Sequence, residues 1–167
     1  MSRAFIGLGS NEGDRLANIS RAAKLLGERP GVQLLRMATI LESEPIGGPP
    51  QGPYLNTVVE IDTTLSAREL LSQVKAIEAA LGRQPAGQRN APRPIDLDIL
   101  LLGETIMAEP NLTIPHLGLH TRWFVLAPLA QLEPGLIHPV LGKTIDALLA
   151  AVPRPAGVIH GLEESEA

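Results

Sequence analysis

The sequence predicts an α+β fold, in which an antiparallel sheet carries two helices on one face and a helical extension follows. Two observations predict it: segments of helical and of strand character succeed one another as strand, helix, strand, strand, helix, strand, and the second helix carries start and stop signals at both ends.

The first strand runs from Arg3 to Leu8 and is closed by Gly9-Ser10-Asn11. A helix follows, with Leu16, Ile19, Ala23 and Leu26 as its apolar stripe, and Pro30-Gly31 stops it. Val32 to Glu42 reads as one long strand of mostly apolar and β-branched residues. Glu44 to Pro53 holds too many prolines and glycines for helix or strand, so it is a loop, and loops of this length in compact domains are often functional. From Tyr54 to Thr63, Leu55, Thr57, Val59 and Ile61 alternate with Tyr54, Asn56, Val58 and Glu60, which gives a strand two different faces.

The second helix is marked by a capping box of Ser66 and Glu69, a staple of Leu65 and Leu70, and a terminating Gly82. Its core stripe is Leu70, Val74, Ile77 and Leu81. A polar loop from Arg83 to Pro94 leads into the strand Ile95 to Leu102. This order is the ferredoxin-like βαββαβ arrangement, whose sheet face opposite the helices is expected to be free for a site. Beyond Gly103 come helices around Arg122 to Leu132 and Thr144 to Ala150, then an acidic tail. Residues 1–150 read as a single domain and 151–167 as a loose tail, with no internal repeat.

A chain of 167 residues is long enough to bury about two-thirds of its unfolded surface. Without cysteine, disulfides, thiolate metal sites and thiol catalysis are excluded, so any ligand to a metal is oxygen or imidazole. The N-terminus lacks the apolar core of a signal peptide and no apolar run reaches membrane length, which makes a cytoplasmic protein without a membrane partner the expectation. A net charge of −4 opposes sequence-independent nucleic-acid binding, which needs a basic face. A single nucleotide remains compatible with it. A monomer is the default.

The chemistry is expected on the last core strand. There Ile95, Leu97, Ile99 and Leu101 point one way while Asp96 and Asp98 point the other, with Cα atoms about 6–7 Å apart. Hard oxygen ligands so spaced can hold a pair of Mg²⁺ ions, against the alternative of a solvated polar face. Arg83, Arg89 and Arg93, in the loop just before, can reach phosphate oxygens carried by such metals. His116 and His120 have the spacing of one helical face and are a second candidate metal pair, although Pro115 and Gly118 interrupt a helix there. Two nucleotide motifs fail. Gly142-Lys143-Thr144 lacks the Gly-rich loop of a P-loop, and Gly7-Leu8-Gly9 lacks the third glycine of a dinucleotide fingerprint, so the pair is read as a tight turn.

Taken together, Gly9-Ser10-Asn11, Pro45-Ile46-Gly47, Tyr54-Leu55-Asn56, Glu78 with Gly82-Arg83, Arg93 to Leu100, Ile114-Pro115-His116 and Arg122 to Leu126 resemble the 6-hydroxymethyl-7,8-dihydropterin pyrophosphokinase family over about residues 3 to 150. The resemblance implies transfer of pyrophosphate from Mg·ATP to the pterin's hydroxymethyl oxygen, with AMP released on the route to folate. It implies that Asp96 and Asp98 bind two Mg²⁺ ions and that Arg83 and Arg93 are catalytic, stabilising the transferred group. His116 and Arg122 then touch phosphates, and Lys75, Glu78, Ile99 and Thr113 lie near the nucleotide. The pterin lies between Tyr54 and Phe124, with Asn56 and the backbone around Ser43, Glu44 and Ile46 on its polar edge. The sequence departs from the family pattern at Asn90-Ala91, where many members have an aromatic residue and glycine, and at Pro85 and Asn111, where basic residues can occur. Closure of the loop is therefore left to Arg89 and Arg93, with Gln88. Rival functions are a non-enzymatic ligand-binding module of the same fold and a nucleotidyl transferase that releases pyrophosphate.

Overall fold

The structure, a computed structural model, describes residues 1–43, 53–82, 94–155 and 159–162, the last four by their backbone. Its elements are β1 (Ser2–Ser10), α1 (Arg15–Gly27), β2 (Val32–Met37), β3 (Ile40–Ser43), β4 (Tyr54–Thr63), α2 (Ala67–Ala80), β5 (Asp96–Leu102), β6 (Met107–Glu109), β7 (Leu112–Ile114), α3 (Trp123–Leu132), α4 (Ile145–Ala150) and β8 (Ile159–Leu162). A short 3-10 turn, Leu119–Thr121, precedes α3.

Local chemistry sets the helix starts. Asp14 accepts from the amide of Ala17, and the Ser66–Glu69 capping box is complete, with Ser66 Oγ accepting from Glu69 N (3.2 Å) and Glu69 Oε1 from Ser66 N (2.9 Å). Gly82 follows α2 with φ +96°, a left-handed conformation suited to glycine.

The main sheet is ordered β5-β1-β4-β3-β8, with β2 also paired to β4, and its ladders are antiparallel. With β2 and β3 taken as one bent strand, this is the ferredoxin-like order. The helices α1 and α2 bury Ile19, Leu26, Leu70, Val74 and Ile77 against Ile6, Leu8, Val59, Ile61 and Leu97.

Four expectations are corrected. The single strand from Val32 to Glu42 is broken at Ala38-Thr39. There Thr57 Oγ1 donates to the Ala38 carbonyl (2.9 Å) and the Thr39 amide to Gln131 of α3 (2.6 Å), so side chains take the place of ladder bonds. In β5, Phe5 faces Leu101 while Ile6 faces Ile99, which leaves Leu100 as an extra residue. This bulge turns Leu101 to the face opposite Ile95, Leu97 and Ile99, and brings Leu102 to theirs. The sheet face expected to be free is partly covered, since Leu126, Leu129 and Leu132 of α3 and Ile145 and Leu148 of α4 pack on Phe5, Val58, Leu100 and Leu101. Finally, four residues of the segment read as a loose tail form β8, which pairs with β3 through Ile40↔Leu162 and Glu42↔Ile159.

Candidate active site

Beyond the edge of α3, the face opposite α1 and α2 carries polar side chains at one end of the sheet. The strand registers place them in two rows. Gly9 of β1 lies opposite Asn56 of β4 on one side and Asp96 of β5 on the other, and Gly7 lies between Val58 and Asp98 in the next row. The central strand adds no side chains of its own at Gly7 and Gly9; the Leu100 side chain packs over Gly7, the Asn56 amide and Tyr54 ring border Gly9, and the two carboxylates stand on the other side. Strands stand about 4.8 Å apart, so the trough is about 10 Å across. The Gly7-Leu8-Gly9 segment is therefore strand rather than the tight turn expected of it; two glycines in phase on one strand face were the sequence signal for this.

Asn56 is oriented by β3. Its Nδ2 donates to Ser43 Oγ (2.7 Å), which turns the amide oxygen toward Gly9. Tyr54, two residues earlier, shares the face and is half-buried, and it lies opposite Ser43 in the ladder. Phe124 is half-buried in the first turn of α3, the helix that packs on β3 and β4.

The two carboxylates lie on the face predicted for them. Asp98 is pushed up to about 7, first by burial, then by the charges of Asp96 and Glu78, with Lys75 and Arg122 opposing the shift. Nε2 of His116 stands 3.8 Å from Asp98 Oδ1. The His116 amide donates to the Leu100 carbonyl (3.0 Å), and its Nδ1 accepts from the Gly118 amide (3.1 Å). An Nδ1 that accepts leaves the ring hydrogen on Nε2, so neutral His116 presents a donor toward the acids. Burial, together with the charge of Arg122, lowers its pKa and favours that neutral form. Arg122 can lie so close because residue 118 is glycine: a Cβ there would stand 2.6 Å from its Nε.

Glu78 plays a part that sequence alone did not disclose. It is buried in α2, and its Oε2 accepts from the amide of Leu97 (2.8 Å), the residue between the two aspartates, while Oε1 lies 3.3 Å from Lys75 Nζ. Thr113 sits half-buried in β7. The side chain of Ile99 is in the core beneath the helices, which leaves its backbone for contact with a ligand. His120 packs edge-on against His138, with ring centroids 6.2 Å apart, while His116 stands beside Asp98. Glu44, Ile46, Arg83, Arg89 and Arg93 lie outside the described residues.

Fold and site together define a ferredoxin-like α+β protein with an acid, imidazole and amide cluster at one end of its sheet. The chain belongs to the 7,8-dihydro-6-hydroxymethylpterin-pyrophosphokinase (HPPK) family, whose model matches residues 5–134. It is 37% identical over 158 residues to the 2-amino-4-hydroxy-6-hydroxymethyldihydropteridine pyrophosphokinase of Methylorubrum extorquens, a match covering 95% of this chain and 98% of the relative. It is also 37% identical over 150 residues to the folic acid synthesis protein fol1 of Schizosaccharomyces pombe, covering 90% of this chain but only 20% of that protein. The crystal structure of wild-type Plasmodium falciparum HPPK-DHPS superposes with a TM-score of 0.69 at 16% identity, over 89% of this chain and 44% of that one. At that identity the likeness is one of fold.

Proposed function

We propose that the chain transfers the β- and γ-phosphates of ATP as a unit to the hydroxymethyl oxygen of 6-hydroxymethyl-7,8-dihydropterin, giving the pterin diphosphate and AMP in folate biosynthesis. The observation that carries the residue-level reading is the row Asn56–Gly9–Asp96, which sets an amide suited to a heterocycle's edge across a glycine of the central strand from the carboxylate pair.

Two Mg²⁺ ions are assigned to Asp96 and Asp98. The donor set fits: both are hard oxygen ligands on one strand face, and Asp98, raised first by burial, is raised further by the charges of Asp96 and Glu78, which a cation would offset. Mg²⁺ commonly takes one or two carboxylates and completes its shell with water and phosphate. Asp96 and Asp98 would supply those carboxylates; among the described residues no group of three or more such ligands gathers. When bound, the ions would neutralise the triphosphate and align the attacking oxygen with the β-phosphorus.

The chain's own residues do the remaining work. His116 offers its Nε2 hydrogen to a phosphate oxygen beside Asp98, and Arg122 adds a fixed positive charge. Arg83 and Arg93 are assigned to charge on the transferred group, and Lys75, Glu78, Thr113 and the Ile99 backbone to the nucleotide side. The pterin is assigned to the space between Tyr54 and Phe124. Each stacking contact there is worth about 0.5–1.5 kcal/mol beyond burial. Asn56, Ser43 and the backbone near Glu44 and Ile46 meet its polar edge.

We place these residues in one catalytic domain, residues 1–150, of a cytoplasmic monomer without nucleic-acid or membrane partners. In support, the net charge is −4, and no helix among the described residues is long and apolar enough to cross a membrane.

The test is incubation with Mg·ATP and 6-hydroxymethyl-7,8-dihydropterin, with products identified by mass. AMP and a pterin diphosphate are expected; ADP, free pyrophosphate or no reaction overturns the reading. Asp96→Ala and Asp98→Ala are expected to fold and to lose at least about 10²-fold in turnover. Wild-type turnover in both would sink the metal assignment.

A further inference from the structure

Arg15 opens α1 on the side of the sheet opposite the candidate site, yet its guanidinium reaches both strands that border the pterin face. Nη1 donates to the Pro53 carbonyl (2.8 Å) and stands 2.9 Å from Glu42 Oε2. Glu42 immediately precedes Ser43, and Pro53 immediately precedes Tyr54. Ser43 and Tyr54 face each other at the last rung of the β3–β4 ladder, so one side chain ties the end of one strand to the start of the other.

Neighbouring strand residues point to opposite faces. The contact that holds the Glu42 carboxylate toward α1 therefore holds Ser43 toward the site, where its hydroxyl accepts from Asn56 Nδ2 at 2.7 Å. Both ionic partners are partly exposed, at 31% and 20%, and such pairs add little to global stability. Their effect is local.

We infer that Arg15 is a positioning residue for the pterin subsite, acting from behind the sheet to fix Ser43, Tyr54 and, through Ser43, the amide of Asn56. The inference rests on the reading that the pterin lies against Tyr54 and Asn56. A displaced Ser43 would free the Asn56 amide to turn, and misplacement of a binding group by about 1 Å can cost up to about 10²-fold. The hydrogen bond and ion pair that Arg15 makes among the described residues go to Pro53 and Glu42, on the β3–β4 side, and not to β5 and β7, which form the nucleotide side of the trough.

The test compares Arg15→Met, Arg15→Lys, Glu42→Gln and, as a reference for the subsite, Asn56→Ala. The KM for pterin, the KM for ATP and the Tm are measured for each. Arg15→Met and Glu42→Gln are expected to raise the pterin KM about 5- to 20-fold with the ATP KM within about twofold. Arg15→Lys keeps the charge and three donors, and is expected to recover a large part of the loss. An unchanged pterin KM, a parallel rise in both KM values, or a fall in Tm alone overturns the assignment to Arg15. If Asn56→Ala weakens pterin binding while Arg15→Met does not, only this inference fails. If Asn56→Ala leaves the pterin KM unchanged, the pterin reading of this face fails and takes the inference with it.

Discussion

A Cβ added to Gly9 would stand 3.2 Å from Oδ1 of Asn56, its ladder partner on β4. The Asn56 amide cannot simply yield, because its nitrogen is held from the far side by Ser43 Oγ. Gly9→Ala is therefore expected to leave the sheet folded and to raise the pterin KM about tenfold or more, by turning the amide away from its acceptor geometry. Gly7→Ala is the control. The nearest atoms to its Cβ would be Leu100 side-chain carbons, from 3.5 Å, an ordinary contact. Steady-state kinetics of the two variants checks the difference, and equal behaviour would refute a role for the close Gly9–Asn56 approach in pterin binding.

The pKa of Asp98 gives a metal dependence with a definite sign. Because burial and the charges of Asp96 and Glu78 push it up to about 7 from an ordinary 3.8, the folded metal-free protein holds a proton that the unfolded chain releases between these values. Stability of the metal-free protein therefore falls as pH rises through that window. A bound cation replaces the proton. The rise in Tm on adding Mg²⁺ is expected to be larger at about pH 8 than at about pH 5.5, and Asp98→Asn is expected to flatten the dependence. Differential scanning fluorimetry at the two pH values decides it.

Much of the frame was legible because its signals are local. The Ser66–Glu69 capping box is a four-residue pattern, and the two faces of β4 repeat every second residue. The bulge at Leu100 was not legible: Ile99 to Leu102 are all aliphatic, and since α3 covers the second face, neither the composition nor the alternation marks where the phase slips. For the site, Asp96 and Asp98 could be placed on one face by counting. The partnership of Glu78 with Leu97 joins a helix to a strand, and that of Arg15 with Glu42 and Pro53 joins segments far apart in the chain, so neither leaves a trace in spacing.

Glu60 is a structural charge well removed from the trough. It is 2% exposed, stands 2.6 Å from Arg36 Nε and 3.0 Å from Arg3 Nε, and both arginines also reach Glu133 at the end of α3. Arg36 lies opposite Glu60 only because the β2–β4 register shifts between Leu34 and Arg36. Glu60→Ala is expected to cost about 1–3 kcal/mol in urea unfolding, by removing a buried acceptor from two donors. Turnover of the folded fraction is expected to stay near wild type. A loss of turnover without a loss of stability would contradict a purely structural role.

Glu78 can be separated into an acceptor and a charge by two substitutions. Leu97 pairs with Leu8 on one side, so its amide, directed to the other edge of β5, needs an acceptor from outside the sheet. Glu78→Ala removes that acceptor at a buried position and is expected to cost about 1–3 kcal/mol. It also loosens the strand that aims Asp96 and Asp98, so Mg²⁺ affinity is expected to fall. Glu78→Gln retains an acceptor oxygen but removes one of the charges that raise Asp98. Its stability is expected to stay near wild type, while its Mg²⁺-induced Tm rise persists to lower pH, because Asp98 then loses its proton more readily. Thermal shift against Mg²⁺ at several pH values separates the two roles. If Gln destabilises as much as Ala, the carboxylate acts through its charge, and the amide contact does not position the metal strand.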